Sequence, residues 1–197
     1  MPTLRNVEAC EAAIGARLDA GDLAGAVTEA VSGYGPQLLG YLVTLLRDGD
    51  AAREVFADAC EDIWRGVGGF RRETSFRAWA YRIVWNAAQE HLRDPYRRRG
   101  RRLESEEISQ LVASVRTETP PHGRTSVREA VLGLRERLGP EDQSLLTLRV
   151  HRGLSFAEIA AVLSSPGFPM SEATARKRFE RAKGRLRELA AEDGLLR

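Results

Sequence analysis

The chain of 197 residues predicts an all-α protein with two small helical domains joined by an acidic flexible linker. Ala, Leu, Glu and Arg dominate it, and no stretch alternates apolar and polar residues as a half-buried strand would. Its charge is also segregated. The formal net charge is +2, yet residues 1–70 hold 5 basic and 11 acidic side chains, whereas residues 71–102 hold 10 arginines and 3 acids. Separated charge of this kind is typical of a chain that meets a polyanion and a second, different partner.

Composition excludes several classes of protein. No apolar run approaches the ~18 residues that a membrane-spanning helix needs, and the N-terminus has acidic residues where a signal peptide has an apolar centre. The two cysteines are too few for a disulfide framework or a cysteine-rich zinc site. No Gly-Lys-Ser/Thr phosphate loop and no His-Glu-x-x-His pair are present. We therefore expect a cytoplasmic protein that is not an enzyme, with no cofactor, metal, small-molecule substrate or membrane insertion.

The first predicted domain spans residues 22–102, after an N-terminal extension of residues 1–21 to which no role is assigned. The turn Gly33-Tyr34-Gly35-Pro36 is expected to break the helical pattern, since Pro suits a first helical turn. Glycines at 66, 68 and 69 end a later helix, and Thr74 or Ser75 caps the next one. The helices are predicted at 23–32, 37–46, 51–67 and 76–93.

The second predicted domain spans residues 126–193 and is followed by a tail of residues 194–197. The acidic, proline-containing segment 103–125 is predicted to be a linker with one short amphipathic helix at 103–112. The helices of the second domain are predicted at 127–138, 141–152, 155–163 and 172–191.

The helix predicted at 76–93 has two faces. Its core face holds Phe76, Trp79, Ala80, Ile83, Val84, Ala87 and His91, with Tyr81 beside the polar face. Trp85 lies among arginines on the opposite, polar face. An exposed aromatic in such a position is typical of stacking on unpaired bases. The alternative is that Trp85 packs on another helix or on the linker. The candidate site for single-stranded DNA combines the polar face with the preceding loop: Arg71, Arg72, Thr74, Ser75, Arg82, Trp85, Asn86, Gln89 and Arg93.

A helix-turn-helix pattern follows in the second domain. Ser155 and Glu158 form a capping box at the start of a short helix, and Ser171 caps a long basic helix after a polar turn. A basic second helix suits insertion into the major groove of DNA. The alternative is a helical bundle with an arginine-rich solvent face. The candidate DNA-contacting residues are Ser171, Thr174, Arg176, Lys177, Arg178 and Arg181.

Together these segments resemble a bacterial RNA polymerase sigma factor of the small extracytoplasmic-function (ECF) group. Residues 48–64 look like the helix that binds core polymerase, and the run Phe76, Trp79, Tyr81, Arg82, Ile83, Asn86 resembles the promoter-opening helix of region 2. Leu154-Ser155, Glu158-Ile159-Ala160 and the later Thr174, Arg178, Arg181, Ala182 and Leu186 resemble the helix-turn-helix of region 4.

The resemblance implies a role for each segment. The loop 70–75 would receive a flipped minus-ten base, the polar face after it would follow the non-template strand, and the helix from Glu172 would read the minus-thirty-five duplex. Core RNA polymerase, promoter DNA and an anti-sigma factor would be the partners. The polymerase-binding residues would be Asp48, Asp50, Glu54, Asp58, Glu61, Asp62 and Trp64.

Two residues depart from the pattern of the family. Ala57 stands where the family usually has Gln, and Arg53 replaces a usual acid. The alternative function is therefore a sigma-like helix-turn-helix regulator that does not form a productive holoenzyme.

Overall fold

The computed structural model describes residues 4–94, 106–118, 133–134, 137–165, 167 and 169–195. The regular elements in this part of the chain are helices, which confirms the predicted all-α class. The chain divides into two compact units, residues 1–120 and residues 121–197.

The first unit is built around one long central helix, α2, which contacts every other helix of the unit. Large side chains fill its interior, among them Tyr34, Tyr41, Phe56, Phe76 and Tyr81, all almost fully buried. The edge-to-face contact of Tyr41 and Tyr81, with ring centroids 5.5 Å apart, joins α2 (Leu23–Leu46) to α4 (Phe76–Arg93). The helices are α1 (Leu4–Asp19), α2 (Leu23–Leu46), α3 (Gly49–Gly66), α4 (Phe76–Arg93) and α5 (Glu106–Glu118).

The predicted break at residues 33–36 is wrong, because α2 runs through it with Pro36 inside the helix. The glycines there mark places where other helices approach closely. A Cβ atom added at Gly33 would lie 2.5 Å from Sγ of Cys10 on α1, and one at Gly35 would lie 2.9 Å from Cγ2 of Val115 on α5. Packing on both sides therefore outweighs the weak local helix propensity of Gly and Pro.

Helix α1 lies within residues 1–21, for which the sequence predicts only an N-terminal extension. It packs against α2 and α4, with Cys10 and Ile14 buried. Its apolar face is narrow and rich in Ala, so apolar residues at helical spacing indicate this helix only weakly in the sequence.

Helix α5 packs against α2 and α3, with Val112 and Val115 buried. The structure thus differs from the prediction of a flexible linker over 103–125, because residues 106–118 fold as part of the first unit. Two valines three residues apart give α5 a seam that anchors it. The remainder of the predicted linker lies outside the described residues.

The second unit confirms the predicted helix-turn-helix. Ser155 and Glu158 form the expected capping box of α7 (Phe156–Leu163). Ser171 caps α8 (Glu172–Glu192) by accepting a hydrogen bond from the backbone N–H of Thr174. The helix predicted at 141–152 is an α-helix that ends in a π-helical turn, Thr147–His151. Most of the helix predicted at 127–138 lies outside the described residues. The helices are α6 (Pro140–Leu146), α7 (Phe156–Leu163) and α8 (Glu172–Glu192).

Candidate nucleic-acid interface

A polar stripe runs along the outer face of α4. Arg82, Asn86 and Arg93 are exposed and Gln89 is half-buried, and their spacing of four, three and four residues places them on one side of the helix. Nε of Arg93 donates a hydrogen bond to the carbonyl of Gln89 at 3.4 Å. In the described part of the chain, Arg82 makes no ion pair, so its guanidinium is available to a phosphate or a base edge.

Trp85 does not belong to this stripe, which corrects the prediction that it is exposed. Its side chain is 4% exposed and Tyr81, one turn earlier, is fully buried. Arg77 is also buried, where its Nη2 donates to Oε1 of Gln37 at 3.0 Å and its guanidinium lies 5.7 Å from the Tyr81 ring centroid. Trp85 therefore packs inside the unit, as the alternative interpretation held.

The buried side of α4 is rotated relative to the predicted core face. Trp79, Ile83 and His91 were expected in the core and are half-buried, whereas Tyr81 and Trp85 are inside. Because α4 contacts α1, α2 and α3, more than half of its circumference is covered. A helical wheel assumes one buried side, so it misplaces residues at the edge of a wider one.

The loop that leads into α4 is anchored by an aromatic cluster. The ring of Phe70 lies 5.1 Å from that of Phe76 and 5.2 Å from that of Trp79. Arg71 and Arg72 are exposed, and Arg72 adopts the left-handed backbone conformation with φ of 57°. This φ is uncommon for a residue other than Gly, and it places a tight turn in the middle of the loop.

Ser75 acts as the N-cap of α4, as predicted, since its Oγ accepts from the backbone N–H of Ala78 at 3.1 Å. Thr74 is half-buried, and its hydroxyl contacts the carbonyl of Ser75 at 3.4 Å. Both hydroxyls thus serve the local structure of the loop.

A groove of about 160 Å³ lies between α1 and this loop. Its apolar walls are formed by Ile14, Leu18, Phe70 and Phe76. The polar residues that line it are Glu11, Arg72 and Thr74. Apolar walls with a few polar groups are the usual make-up of a site for a planar ring. The groove is lined by Glu11, Ile14, Gly15, Leu18, Phe70, Arg72, Thr74 and Phe76.

Glu11 of α1 is a residue that sequence reasoning missed. Its carboxylate accepts hydrogen bonds from the backbone N–H groups of Phe76 at 2.9 Å and Arg77 at 2.8 Å, and from the hydroxyl of Tyr34 at 2.9 Å. A second contact ties α1 to the loop, because Arg72 pairs with Asp19 at 2.8 Å. A contact across 65 residues leaves no local signal in the sequence.

The acidic helix α3 presents fewer acids than predicted. Asp58 and Glu61 are 5% and 1% exposed, and Oε1 of Glu61 lies 3.3 Å from Nη2 of Arg65. These two carboxylates therefore do not form part of an exposed docking face. Glu54, Asp62 and Trp64 are half-buried, and Asp48 and Asp50 are exposed.

The two exposed acids of α3 are engaged locally. Asp48 is the N-cap and accepts from the backbone N–H groups of Asp50 and Ala51, and these hydrogen bonds lower the pKa of its carboxyl. Asp50 pairs with Arg53 at 3.0 Å. Arg53 thus partly neutralises the start of the helix.

Three exposed polar side chains form a stripe on the recognition helix α8. Thr174, Lys177 and Arg181 lie at positions i, i+3 and i+7 and are all exposed. In the described residues, Lys177 and Arg181 make no ion pair. Ser171 is occupied as the cap, and its Oγ lies 2.8 Å from Oγ1 of Thr174.

Arg178, predicted to contact DNA, is bound to two carboxylates of its own unit. Its Nε donates to Oδ1 of Asp142 at 2.7 Å and its Nη1 contacts the carboxylate of Glu141, so the side chain is only 27% exposed. Burial lowers the pKa of Arg178, but its hydrogen bond to Asp142 and the two negative charges outweigh this and raise the pKa overall. Arg178 therefore fastens α8 to α6.

Arg176 is also engaged, although it stays exposed. It pairs with Glu172 at 3.0 Å, and its guanidinium lies 4.8 Å from the ring centroid of Phe156. Arg149 lies 4.6 Å from the same ring. The contact with Phe156 on α7 holds Arg176 beside the start of the recognition helix.

An exposed stripe with two arginines in one unit and a helix-turn-helix in the other are features of a DNA-binding protein. The family model of sigma-70 region 2 matches residues 30–110, and that of the ECF sigma factors matches residues 71–191. The chain belongs to the ECF sigma factor family. Sigma factors direct RNA polymerase to promoters and are not themselves enzymes, so core RNA polymerase and promoter DNA are the partners of this chain.

Curated relatives agree with this assignment. The RNA polymerase sigma-H factor of Pseudomonas aeruginosa is 29% identical over 160 residues, which cover 76% of this chain and 78% of that protein. The sigma factor CarQ of Myxococcus xanthus is 28% identical over 160 residues, covering 81% and 86%. The ECF RNA polymerase sigma-E factor of Escherichia coli is 30% identical over 140 residues, covering 68% and 69%.

A solved structure shares the fold. The sigma factor RpoE of Bartonella quintana, crystallised in complex with the anti-sigma factor NepR, aligns with a TM-score of 0.57 and 21% sequence identity. The alignment covers 79% of this chain and 91% of that one.

Among the described residues, no helix has the length and apolarity to cross a membrane. No group of three or more His, Cys, Asp or Glu residues there is placed to hold a metal ion.

Proposed function

We propose that the first unit captures the opened minus-ten strand of the promoter with the loop 70–75 and the stripe of Arg82, Asn86, Gln89 and Arg93. The observation that carries the proposal is the exposure, in one folded unit, of Arg71 and Arg72 in the loop and of Arg82, Asn86 and Arg93 on one side of α4. Arginines neutralise backbone phosphates, and amides hydrogen-bond to the edges of unpaired bases.

The groove between α1 and the loop is the proposed receptor for an unstacked base. The half-buried walls Phe70 and Leu18 provide the surface on which a base loses water, while Phe76 and Ile14 are almost fully buried and complete the lining. Arg72 and Thr74 also line the groove, and their polar groups would exchange their contacts with Asp19 and with the carbonyl of Ser75 for the edge of the base. Proteins that take a base out of the stack use this combination of apolar walls and polar edge contacts.

The second unit is proposed to read the minus-thirty-five duplex. Thr174, Lys177 and Arg181 carry this role, because they are exposed on one side of α8. Ser171 sets the start of the recognition helix, and Arg176 is held next to it. Lys177 and Arg181 are suited to phosphates and guanine edges, as is common in the major groove.

Polymerase docking is proposed to use Asp48 and Asp50, which are exposed at the start of α3, together with Glu54, Asp62 and Trp64, which are half-buried. The proposal leaves out Asp58 and Glu61, which are buried. We also infer an anti-sigma factor as a partner and a cytoplasmic location. The first inference is supported by the Bartonella quintana sigma factor of similar fold, which was crystallised with an anti-sigma factor.

The variant Arg82→Ala tests strand capture. Holoenzyme is assembled from core polymerase, and a promoter is selected by wild-type holoenzyme from a randomised duplex library. We expect Arg82→Ala to weaken binding of the pre-melted promoter about tenfold, since one phosphate or base contact is lost. Binding of the minus-thirty-five duplex should not change.

Arg17→Ala is the matched control, because it removes an exposed arginine of the same unit outside the loop and the stripe. It should behave as wild type with both probes. Equal binding of the pre-melted promoter by Arg82→Ala and wild type would contradict the proposed strand-capture face.

A further inference from the structure

We propose that helix α1 positions the promoter-capture loop and that Glu11 is the positioning residue through which it acts. The inference rests on the proposed role of the loop in strand capture.

Glu11 completes the N-terminus of α4 from a distant part of the chain. The first backbone N–H groups of a helix have no partner inside the helix. Here Ser75 takes the N–H of Ala78, while the two carboxylate oxygens of Glu11 take those of Phe76 and Arg77. A negative charge at this end also interacts favourably with the helix dipole. The first turn of α4 is thereby fixed to α1.

Tyr34 holds the carboxylate of Glu11 in place. Its buried hydroxyl donates to Oε1 of Glu11 at 2.9 Å. Burial, followed by interactions with Cys10 and Glu11, raises the pKa of Tyr34, so the hydroxyl remains a donor throughout the ordinary pH range. Ile14 is buried on the same helix, and Gly33 leaves room for Cys10 beside α2. Helix α1 is therefore itself anchored.

The loop is held by α1 at two points. Arg72, which adopts the left-handed conformation within the loop, pairs with Asp19 at the C-terminal end of α1. Directly after the loop, the backbone N–H of Phe76 donates a hydrogen bond to Glu11. Between these points Ile14 and Leu18 of α1 form walls of the groove. A shift of α1 would move the loop and change the groove together, which is the property of a positioning element.

Glu11→Gln tests the inference in holoenzyme, with the same selected promoter. The amide keeps the size of the side chain but presents an NH₂ group to one of the two backbone N–H donors. We expect about a tenfold loss of affinity for the pre-melted promoter, as a charge-assisted hydrogen bond is replaced by opposed donors. Affinity for core polymerase and for the minus-thirty-five duplex should stay at the wild-type value.

Glu8→Gln is the matched control, since Glu8 is an exposed glutamate on the same helix. It should bind all three probes as wild type does. Tyr34→Phe is the second variant, and it tests the positioning role of Glu11 if Glu11→Gln does not fold. It removes one hydrogen bond to Glu11 and leaves the carboxylate, so we expect a smaller loss confined to the pre-melted promoter.

The outcomes separate this inference from the proposed function. If wild type captures the pre-melted promoter and Glu11→Gln does so equally well, the role of α1 is overturned and strand capture stands. An equal loss with all three probes would show a general structural role and overturn the inference. Tighter capture by Glu11→Gln would mean that α1 restrains the loop, which also contradicts it. Failure of wild type to capture the strand would remove the proposed function itself.

Discussion

The candidate DNA-contacting residues of α4 and α8 differ mainly in their burial and in the partners they already have within the protein. On α4, Arg82 is exposed, while Trp85, three residues later, is 4% exposed. On α8, Lys177 and Arg178 are adjacent in sequence, yet only Arg178 is bound to two carboxylates. A side chain whose hydrogen bonds and charge are satisfied inside the protein has less to offer a ligand, so burial and pairing rank the candidate residues.

Lys177 and Arg178 should therefore respond differently to substitution by Ala. Lys177→Ala is expected to weaken duplex binding and to lower the salt slope of the binding constant by about 1, because about one phosphate contact is lost. The measurement is the affinity of the full chain in holoenzyme for the minus-thirty-five duplex over a range of salt concentrations. An unchanged slope would contradict a phosphate contact by Lys177.

Arg178→Ala should instead loosen the second unit. Loss of the contacts to Glu141 and Asp142 is expected to lower the local stability of α8 by about 1 kcal/mol, allowing for the partial exposure of these groups. Hydrogen exchange of the α8 amides in the full chain reports this directly. Unchanged protection, together with a reduced salt slope, would return Arg178 to the DNA-contacting set.

At the scale of whole elements, sequence patterns predicted the helices that have strong local signals. Capping residues located the start of α4, α7 and α8, because a cap depends on neighbours within one turn. Helix α1 and the continuity of α2 were missed, since both depend on contacts between distant segments. The Gly-Tyr-Gly-Pro stretch resembles a break, and only the approach of Cys10 and Val115 explains its glycines.

In the candidate site, too, residues with a local sequence signal could be predicted and residues placed by distant contacts could not. The exposed residues of the α4 stripe could be predicted because polar side chains share one face at helical spacing. Glu11 could not be predicted, since its partners lie 65 residues away. The burial of Asp58 and Glu61 was not predicted either, because charge alone suggests exposure.

Gly35→Ala tests the close approach of α2 and α5. The new Cβ atom would meet Cγ2 of Val115 at 2.9 Å, so either helix must shift. We expect a loss of about 1–3 kcal/mol in the free energy of unfolding, as in other overpacked cores. Unfolding is followed by tryptophan fluorescence, since all three tryptophans lie in the first unit.

Gly15→Ala is the control for this substitution. A Cβ atom there meets nothing within 4 Å, and Ala in place of a helical Gly should raise stability by about 0.5–1 kcal/mol. The double variant Gly35→Ala with Val115→Ala should recover part of the loss relative to Val115→Ala alone. A stability of Gly35→Ala equal to wild type would show that α5 does not press on α2.

For the whole molecule, each of the two units carries a basic surface, and the first unit carries an acidic helix as well. The first unit carries the arginine loop, the α4 stripe and the acidic helix α3, while the second carries the basic helix α8. Each unit has its own core and its own candidate DNA contact. A chain that makes both of the proposed contacts binds a promoter as two linked modules, and the link raises the overall affinity above that of either module.

The assembly of a holoenzyme tests the central claim most directly. Purified chain is mixed with core RNA polymerase, separated by gel filtration, and supplied with the promoter selected from the randomised library. The account predicts a co-eluting complex that opens this promoter and produces a run-off transcript from one start site. Folded chain that elutes apart from active core polymerase, with no transcript, would contradict it.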